Sequence, residues 1–303
     1  MPARDVCGLP GRQFKSGELI MKKTDITIRD PFILLQDDTY YLYGTRSETT
    51  WTNNAEGFDC YKSRDLENWE GPVEIFHKPE GFWADRCYWA PECIAYDGAY
   101  YLITTLASEE RRKGIYILRA EHPEGPFIPY SDLLTPPDWT CIDATIYIEG
   151  DSIYMVYSHS FEDSKTGDMC YQKLSADLKS TITEPVLMFQ AAEAPWAHPV
   201  PFAKAEFGMD GDVYFTDGPF LFRYRDQLYM TWSSWGTNGY AVGVAYAKDN
   251  TVEGKWIQME KPFFPENGGH GMAFLDKDGS LRYTLHYPND KYQEHPMFID
   301  LVL

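Results

Sequence analysis

Apolar and polar residues along this chain follow the period of a strand. No stretch keeps apolar residues at i, i+3, i+4 and i+7 over 12 residues, as a packed helix requires. Instead, five segments repeat one layout: an acid or histidine, a short apolar run, a polar turn, then a Tyr-rich run ending in small polar residues. They begin at Asp30, Glu92, Asp143, Asp217 and His270, at intervals of 62, 51, 74 and 53 residues. Each reads as a β-hairpin, with turns such as Asp97-Gly98, Gly150-Asp151 and Asp278-Gly279 between β-branched and aromatic runs. A weaker echo follows each of the first four hairpins, at 63–69, 120–127, 175–178 and 247–256, where Asp, Gly and Pro turn the chain through outer strands. Hairpin plus outer strands gives about four strands per unit. Five units predict an all-β chain folded as a single five-bladed β-propeller, with four-stranded antiparallel blades around a central channel. Pro and Gly are spread throughout and no linker stands out. The expected organisation is an N-terminal extension over 1–23 and one propeller domain over 24–303.

Composition narrows the partners. The 303 residues include 27 Lys+Arg and 46 Asp+Glu, a net charge of −19, with 44% hydrophobic and 16% aromatic residues. Abundant aromatics exclude a disordered chain. The acidic balance, with no basic cluster, argues against nucleic acid and against anionic membrane surfaces. No run approaches the roughly 18 apolar residues of a membrane span. Met1 to Ile20 lacks the apolar core of a signal peptide, so the chain as written reads as cytoplasmic, or as periplasmic or secreted after removal of a signal. Six cysteines lie scattered without a C-x-x-C pair and are expected to be buried free thiols. Nothing in the charge speaks to oligomeric state.

Propeller geometry turns the repeat into chemistry, because equivalent positions of the innermost strands meet at one mouth. Asp30, Glu92, Asp143, Asp217 and His270 are expected to face a common funnel. An acid at any one of these positions also serves as a turn cap; a matched set points to a site. No D-x-[DN]-x-[DN]-G calcium loop occurs. Acid and base work on a neutral, polyhydroxylated substrate fits better, since glycoside hydrolysis uses one carboxylic acid and one carboxylate. A third carboxylate can hold the acid's pKa up. Sugars also need aromatic platforms: Trp51, Trp83, Trp89, Trp139, Trp196, Trp232 and Trp235 are candidates, Trp89 foremost because it adjoins the second channel strand.

The segments Ile28-Arg29-Asp30-Pro31-Phe32, Trp89-Ala90-Pro91-Glu92, Ile142-Asp143-Ala144 and Gly269-His270-Gly271-Met272 together resemble glycoside hydrolase family 43. So does the Asp65-Leu66-x-x-Trp69 return after the first unit. The resemblance runs from about Thr24 to the C-terminus. It implies a five-bladed propeller that hydrolyses arabinofuranosides and xylosides with inversion and requires no cofactor. On that resemblance Asp30 is the general base and Asp143 tunes and orients the acid; Glu92, Trp89 and Trp139 are separately expected to contact the sugar. His270 then faces a central calcium ion or an ordered water; as a plain alternative it bonds a carbonyl of its Gly-rich turn.

The acid is where the sequence departs. The family usually carries Glu before Gly-Pro at the fourth blade, and here Asp217-Gly218-Pro219 stands. The shorter side chain pulls the carboxyl back by roughly 1.5 Å, and about 1 Å of misplacement can cost on the order of 10²-fold in rate. Asp217 can serve with a shifted backbone, Glu193 in Ala192-Glu193-Ala194-Pro195-Trp196 can substitute, with Glu206 next, or the propeller binds sugar and cleaves it poorly. Arg29-Asp30-Pro31 and Glu92-Cys93 also resemble elements of invertase-type fructosidases, but the Asn-Asp-Pro motif those enzymes carry upstream is absent. A WD40-type interaction propeller lacks its Gly-His and Trp-Asp repeats.

Overall fold

The computed structural model describes residues 20–303; Cys7 and most of the N-terminal extension lie outside them. Five antiparallel sheets form, each from strands consecutive in the chain. The first blade holds Ile20–Lys22 (β1), Ile28–Gln36 (β2), Thr39–Arg46 (β3), Gly57–Ser63 (β4) and Asn68–His77 (β5). The second holds Arg86–Tyr96 (β6), Ala99–Ala107 (β7), Gly114–Ala120 (β8) and Ile128–Pro129 (β9); the third holds Cys141–Glu149 (β10), Ser152–His159 (β11), Asp168–Leu174 (β12) and Val186–Gln190 (β13). Asp217–Tyr224 (β14), Gln227–Gly236 (β15), Gly239–Ala247 (β16) and Trp256–Gln258 (β17) make the fourth, and Gly269–Leu275 (β18), Leu281–Tyr287 (β19) and His295–Asp300 (β20) the fifth. The five-bladed propeller stands, with one refinement: only the middle three blades have four strands. β1 adds a fifth strand to the first blade by pairing with β5, from the N-terminal side of the boundary drawn at residue 24. One helical turn, Ala203–Phe207 (α1), lies between the third and fourth blades.

Strand chemistry explains the hairpins. The tight turns place Asp97 (φ 43°) and Gly98 (φ 76°), or Asp37 (φ 47°) and Asp38 (φ 58°), in the left-handed region that two-residue hairpin turns demand. In the outer returns, Ser63 and Ser175 hydroxyls donate to Asp65 and Asp177, and Leu66 and Leu178 turn at φ 63° and 60° with buried side chains. The two returns that look alike in sequence are thus one structure used twice.

Apolar side chains fill the wedges between neighbouring blades. Tyr101, Ile103, Ile115 and Ile117 of the second blade pack on Met155 and Tyr157 of the third; Trp232 and Met230 of the fourth pack on Val156 and Phe189 of the third. Each such side chain contributes about 1.5–3 kcal/mol by leaving water. The ring closes between the fifth and first blades without a shared strand, by side-chain contacts and one backbone bond. Glu294, fully buried, accepts from the Arg29 guanidinium at 2.8 Å and from the Ser47 hydroxyl at 2.6 Å, and its carbonyl accepts from the Ile28 N–H at 3.2 Å.

Every innermost strand carries a β-bulge at the same place. Arg29 pairs with Thr45, Trp89 with Thr105, Ile142 with Ser158, Asp217 with Ser233 and Gly269 with His286; beyond each pair the register shifts. The next residue takes a positive φ: Asp30 53°, Ala90 47°, Asp143 57°, Gly218 46° and His270 41°. A bulge re-aims the side chains around it. Here it turns them into the funnel.

Candidate active site

The bulges reset the equivalence expected from sequence. Asp30, Asp143 and His270 occupy the bulged position itself. Asp217 stands one residue earlier, level with Arg29 and Trp89, because Gly218 takes the bulge; Glu92 stands two residues beyond the bulge at Ala90. The five residues therefore do not form one matched ring: three do, and two approach from neighbouring positions. Gly218 is required there, since a Cβ would meet the His270 ring at 2.5–3.0 Å and φ is positive.

Four of them converge. His270 Nδ1 lies 3.3 Å from Asp30 Oδ1, 3.3 Å from Asp217 Oδ1 and 3.6 Å from Asp143 Oδ2. Asp30, Asp143 and His270 are buried, and Asp217 is the most open of the group. The Thr45 hydroxyl donates to Asp30 Oδ2 at 2.6 Å, Tyr240 donates to Asp217 Oδ2 at 2.6 Å, and the Gly218 N–H donates to Asp143 Oδ2 at 3.4 Å. Tyr240 stacks between Phe215 and His286, at 6.1 Å and 5.5 Å. Phe215 closes the long stretch after the third blade, so that segment walls the site on the Asp217 side.

Charge sets the protons. Burial alone would lower His270, but the charges of Asp30 and Asp143 and the bond to Asp217 outweigh it and lift it to about 10. Burial, and then the charge of Asp217, raises Asp143 well above the usual carboxylate range. Burial acts on Asp217 in the same sense, yet bonds from Asp143, His270 and Tyr240 and the His270 charge hold it below that range. The pair thus shares one proton, carried by Asp143, beside a charged imidazolium. Glu92, buried two residues deeper, is pushed by desolvation to about 8 and is neutral at pH 7; its Oε2 has no partner.

The other expected residues divide. Trp89 is at the mouth: its indole N–H donates to the Thr50 carbonyl at 2.9 Å, Trp51 meets it edge-on at 5.8 Å, and Lys113 lies over its ring. Trp51, 51% exposed, carries the Arg29 guanidinium 5.3 Å from its ring centre. Trp139 stacks on His159 at 4.0 Å, beside the wedge between the second and third blades. Trp196 and Trp232 are core residues. Glu193 is exposed in a single 3-10 turn and Glu206 is exposed on α1, so Asp217 alone of the three acids reaches the cluster. Cys60, Cys93, Cys141 and Cys170 are buried free thiols, and Cys87 is half-buried and free.

Sequence reasoning missed Thr45, Tyr240, Arg29 and His286 as parts of the site. Arg29 and Thr45 were visible in the repeat, at the residue before the bulge and at its strand partner. Tyr240 reaches the site from the third strand of its blade, where no motif marks it, whereas His286 occupies in the fifth unit the position that Thr45 holds in the first.

A calcium ion facing His270 fits this donor set poorly. Asp143, Asp217 and His270 are the one group of three ligand-type side chains, within 4.8 Å of one another, among the described residues. Calcium takes six to eight oxygen ligands, whereas this group offers two carboxylates and a nitrogen, and Nδ1 is already engaged by three carboxylates.

A five-bladed propeller whose funnel gathers three carboxylates defines a class of carbohydrate-active proteins. Within it, this chain belongs to the glycosyl hydrolases family 43, whose sequence profile matches residues 25–297. An endo-arabinase of Bacteroides thetaiotaomicron is 32% identical in sequence, with a TM-score of 0.82, over 93% of this chain and 97% of that one. The extracellular exo-alpha-(1->5)-L-arabinofuranosidase ArbA of Cellvibrio japonicus is 24% identical over 263 residues, 80% of this chain and 68% of that protein. The xylosidase/arabinosidase 43A of Humicola insolens is 26% identical over 162 residues, 50% of this chain; the match spans about half (48%) of that relative's length.

Proposed function

We propose that this protein is an inverting glycoside hydrolase acting on arabinose-containing oligo- and polysaccharides, α-1,5-linked arabinan foremost and xylose-containing chains second. The observation that carries the reading is the meeting of Asp30, Asp143 and Asp217 around the His270 Nδ1 at 3.3–3.6 Å in the propeller funnel. Similarity to an endo-arabinase and to an exo-acting arabinofuranosidase supports arabinan as the substrate.

Asp30 is the base. Thr45 fixes Oδ2, and Oδ1, 3.3 Å from His270 Nδ1, is the oxygen that polarises a water for attack on the anomeric carbon. Asp217 is the acid, against the same His270 nitrogen, with Tyr240 setting its rotamer. In the free protein the proton of the acidic pair rests on Asp143. Protonation of the leaving oxygen needs that proton on Asp217, a transfer along the direct bond between the two carboxyls. Asp143 is thus the proton's store, and its acceptance of the Gly218 N–H aligns it with the strand that presents Asp217. The charged His270 balances the anionic cluster. The exposed Trp51 and the adjoining Trp89 offer an indole surface for a sugar ring at the mouth.

Release of reducing sugar from linear arabinan and from arabinoxylan tests the reading. Arabinan is expected to be cleaved, and Asp30→Asn is expected to lower turnover by about 10²–10⁴-fold, the usual scale of general-base catalysis. Wild-type turnover in Asp30→Asn would remove Asp30 from the mechanism.

A further inference from the structure

Three of the five bulges are anchored in the same manner, and the two exceptions fall on the blades that present the base and the acid. At the second, third and fifth blades, the bulged N–H donates to a hydroxyl on the preceding blade. Ala90 donates to Thr45 Oγ1 at 2.8 Å, Asp143 to Thr105 Oγ1 at 3.0 Å and His270 to Ser233 Oγ at 2.9 Å. These hydroxyls are themselves the partners of the residues that precede the bulges in their own blades. By the same rule Ser158 should receive the Gly218 N–H. That N–H turns instead to Asp143 Oδ2, and the buried Ser158 Oγ is left without a partner. At the seam that closes the ring, the matching position is His286, whose Nδ1 receives the Asp30 N–H at 3.2 Å.

We propose that His286 is a positioning residue for Asp30: a neutral imidazole in the Nε2–H form whose Nδ1 accepts the Asp30 N–H and sets the bulge from which the base projects. A backbone N–H only donates, so Nδ1 carries no proton in this bond. Nε2 then bears the hydrogen and donates to Asn289 Oδ1 at 3.2 Å. Asn289 Oδ1 also receives the Arg29 guanidinium at 2.9 Å, and Arg29 is paired with the buried Glu294. Burial, Arg29 and His270 all oppose a charge on His286. The base is thereby tied to the contacts that close the propeller. An imidazole suits this seam because it spans from the Asp30 backbone to Asn289, which a serine or threonine hydroxyl bonding the same N–H cannot do.

The role rests on Asp30 being the base, so the tests separate the two ideas. Asparagine places its amide oxygen where Nδ1 lies, and glutamine places its own where Nε2 lies. His286→Asn is expected to keep kcat within about threefold, and His286→Gln to lower it by about tenfold or more with KM unchanged, on the scale of a base displaced by a fraction of an ångström. A residue that merely fills space would rank glutamine, the closer in volume, at or above asparagine; that order overturns the proposal. The second measurement needs no variant and no turnover. Nitrogen NMR of histidine-labelled wild-type protein at neutral pH is expected to show His286 as the neutral Nε2–H tautomer, with a coupling from Nδ1 to the Asp30 amide. An Nδ1–H tautomer or an imidazolium, which would instead donate to the Asp30 carboxylate 3.5 Å away, overturns it. Absence of any glycosidase activity would sink the proposed function while this spectrum still decided the hydrogen bond.

Discussion

Three carboxylates around one imidazolium determine how this site stores charge. Asp217 is one methylene shorter than the usual family acid, and it stays at the cluster because the bulge at Gly218 lets it approach from the preceding position. Asp217→Asn is expected to cut cleavage of arabino-oligosaccharides by about 10²–10⁴-fold, and to cut far less the cleavage of aryl arabinofuranosides whose phenol leaves without a proton. Equal losses on both, measured as kcat/KM, would assign Asp217 another role. Glu193→Gln should leave both within twofold, since that acid lies exposed outside the cluster. The charged His270 gives a stability signature as well. Its value in the folded protein, about 10, lies above its ordinary 6.5. The stability it contributes is therefore fully present below about pH 6.5 and is lost as pH rises through about 10. Thermal melts of wild type and His270→Gln are expected to converge across that window; a constant gap would show that His270 is neutral. At this scale Asp30, Asp143 and His270 were legible from their spacing. Tyr240 was not, since it reaches the site through pairing between strands, which spacing does not encode; His286 stands where Thr45 does in the repeat, but as a histidine among hydroxyls it did not read as the same part.

At the scale of the element, the decisive feature is the bulge. It places a residue at positive φ and turns the neighbouring side chains into the funnel in all five blades. Sequence located a residue of each inner strand and missed the bulge, so Asp217 and Glu92 were aligned with residues one and two positions away. The reason is physical: a bulge is set by which N–H finds which acceptor across the blade seam, and Ala90, Asp143 and Gly218 share no local residue signature. Gly218→Ala tests the element directly. The added Cβ would press on the His270 ring and sit at an unfavourable φ, so a loss of about 1–3 kcal/mol in denaturant unfolding is expected together with loss of turnover. Full activity in that variant would mean the strand can present Asp217 without this bulge.

The whole molecule is a ring, and a ring is as strong as its closure. Among the described residues no strand is exchanged across the seam of the first and fifth blades; Arg29, Glu294, Ser47 and Asn289 hold it, together with Met272 and Phe298 in the adjoining core. Glu294→Ala leaves Arg29 buried without its partner, and a loss of about 3–5 kcal/mol is expected, read as a drop in melting temperature along with lower turnover because Asp30 lies next to the seam. The five blades were visible in the repeat. The seam was not, because its residues sit 265 positions apart in the chain. The central claim, that Asp30 activates a water while Asp217 protonates the leaving oxygen with inversion, is tested most directly by proton NMR of the first product released from α-1,5-arabino-oligosaccharide. Inversion predicts that the β-anomer appears first and then mutarotates; an initial α-anomer would contradict the account.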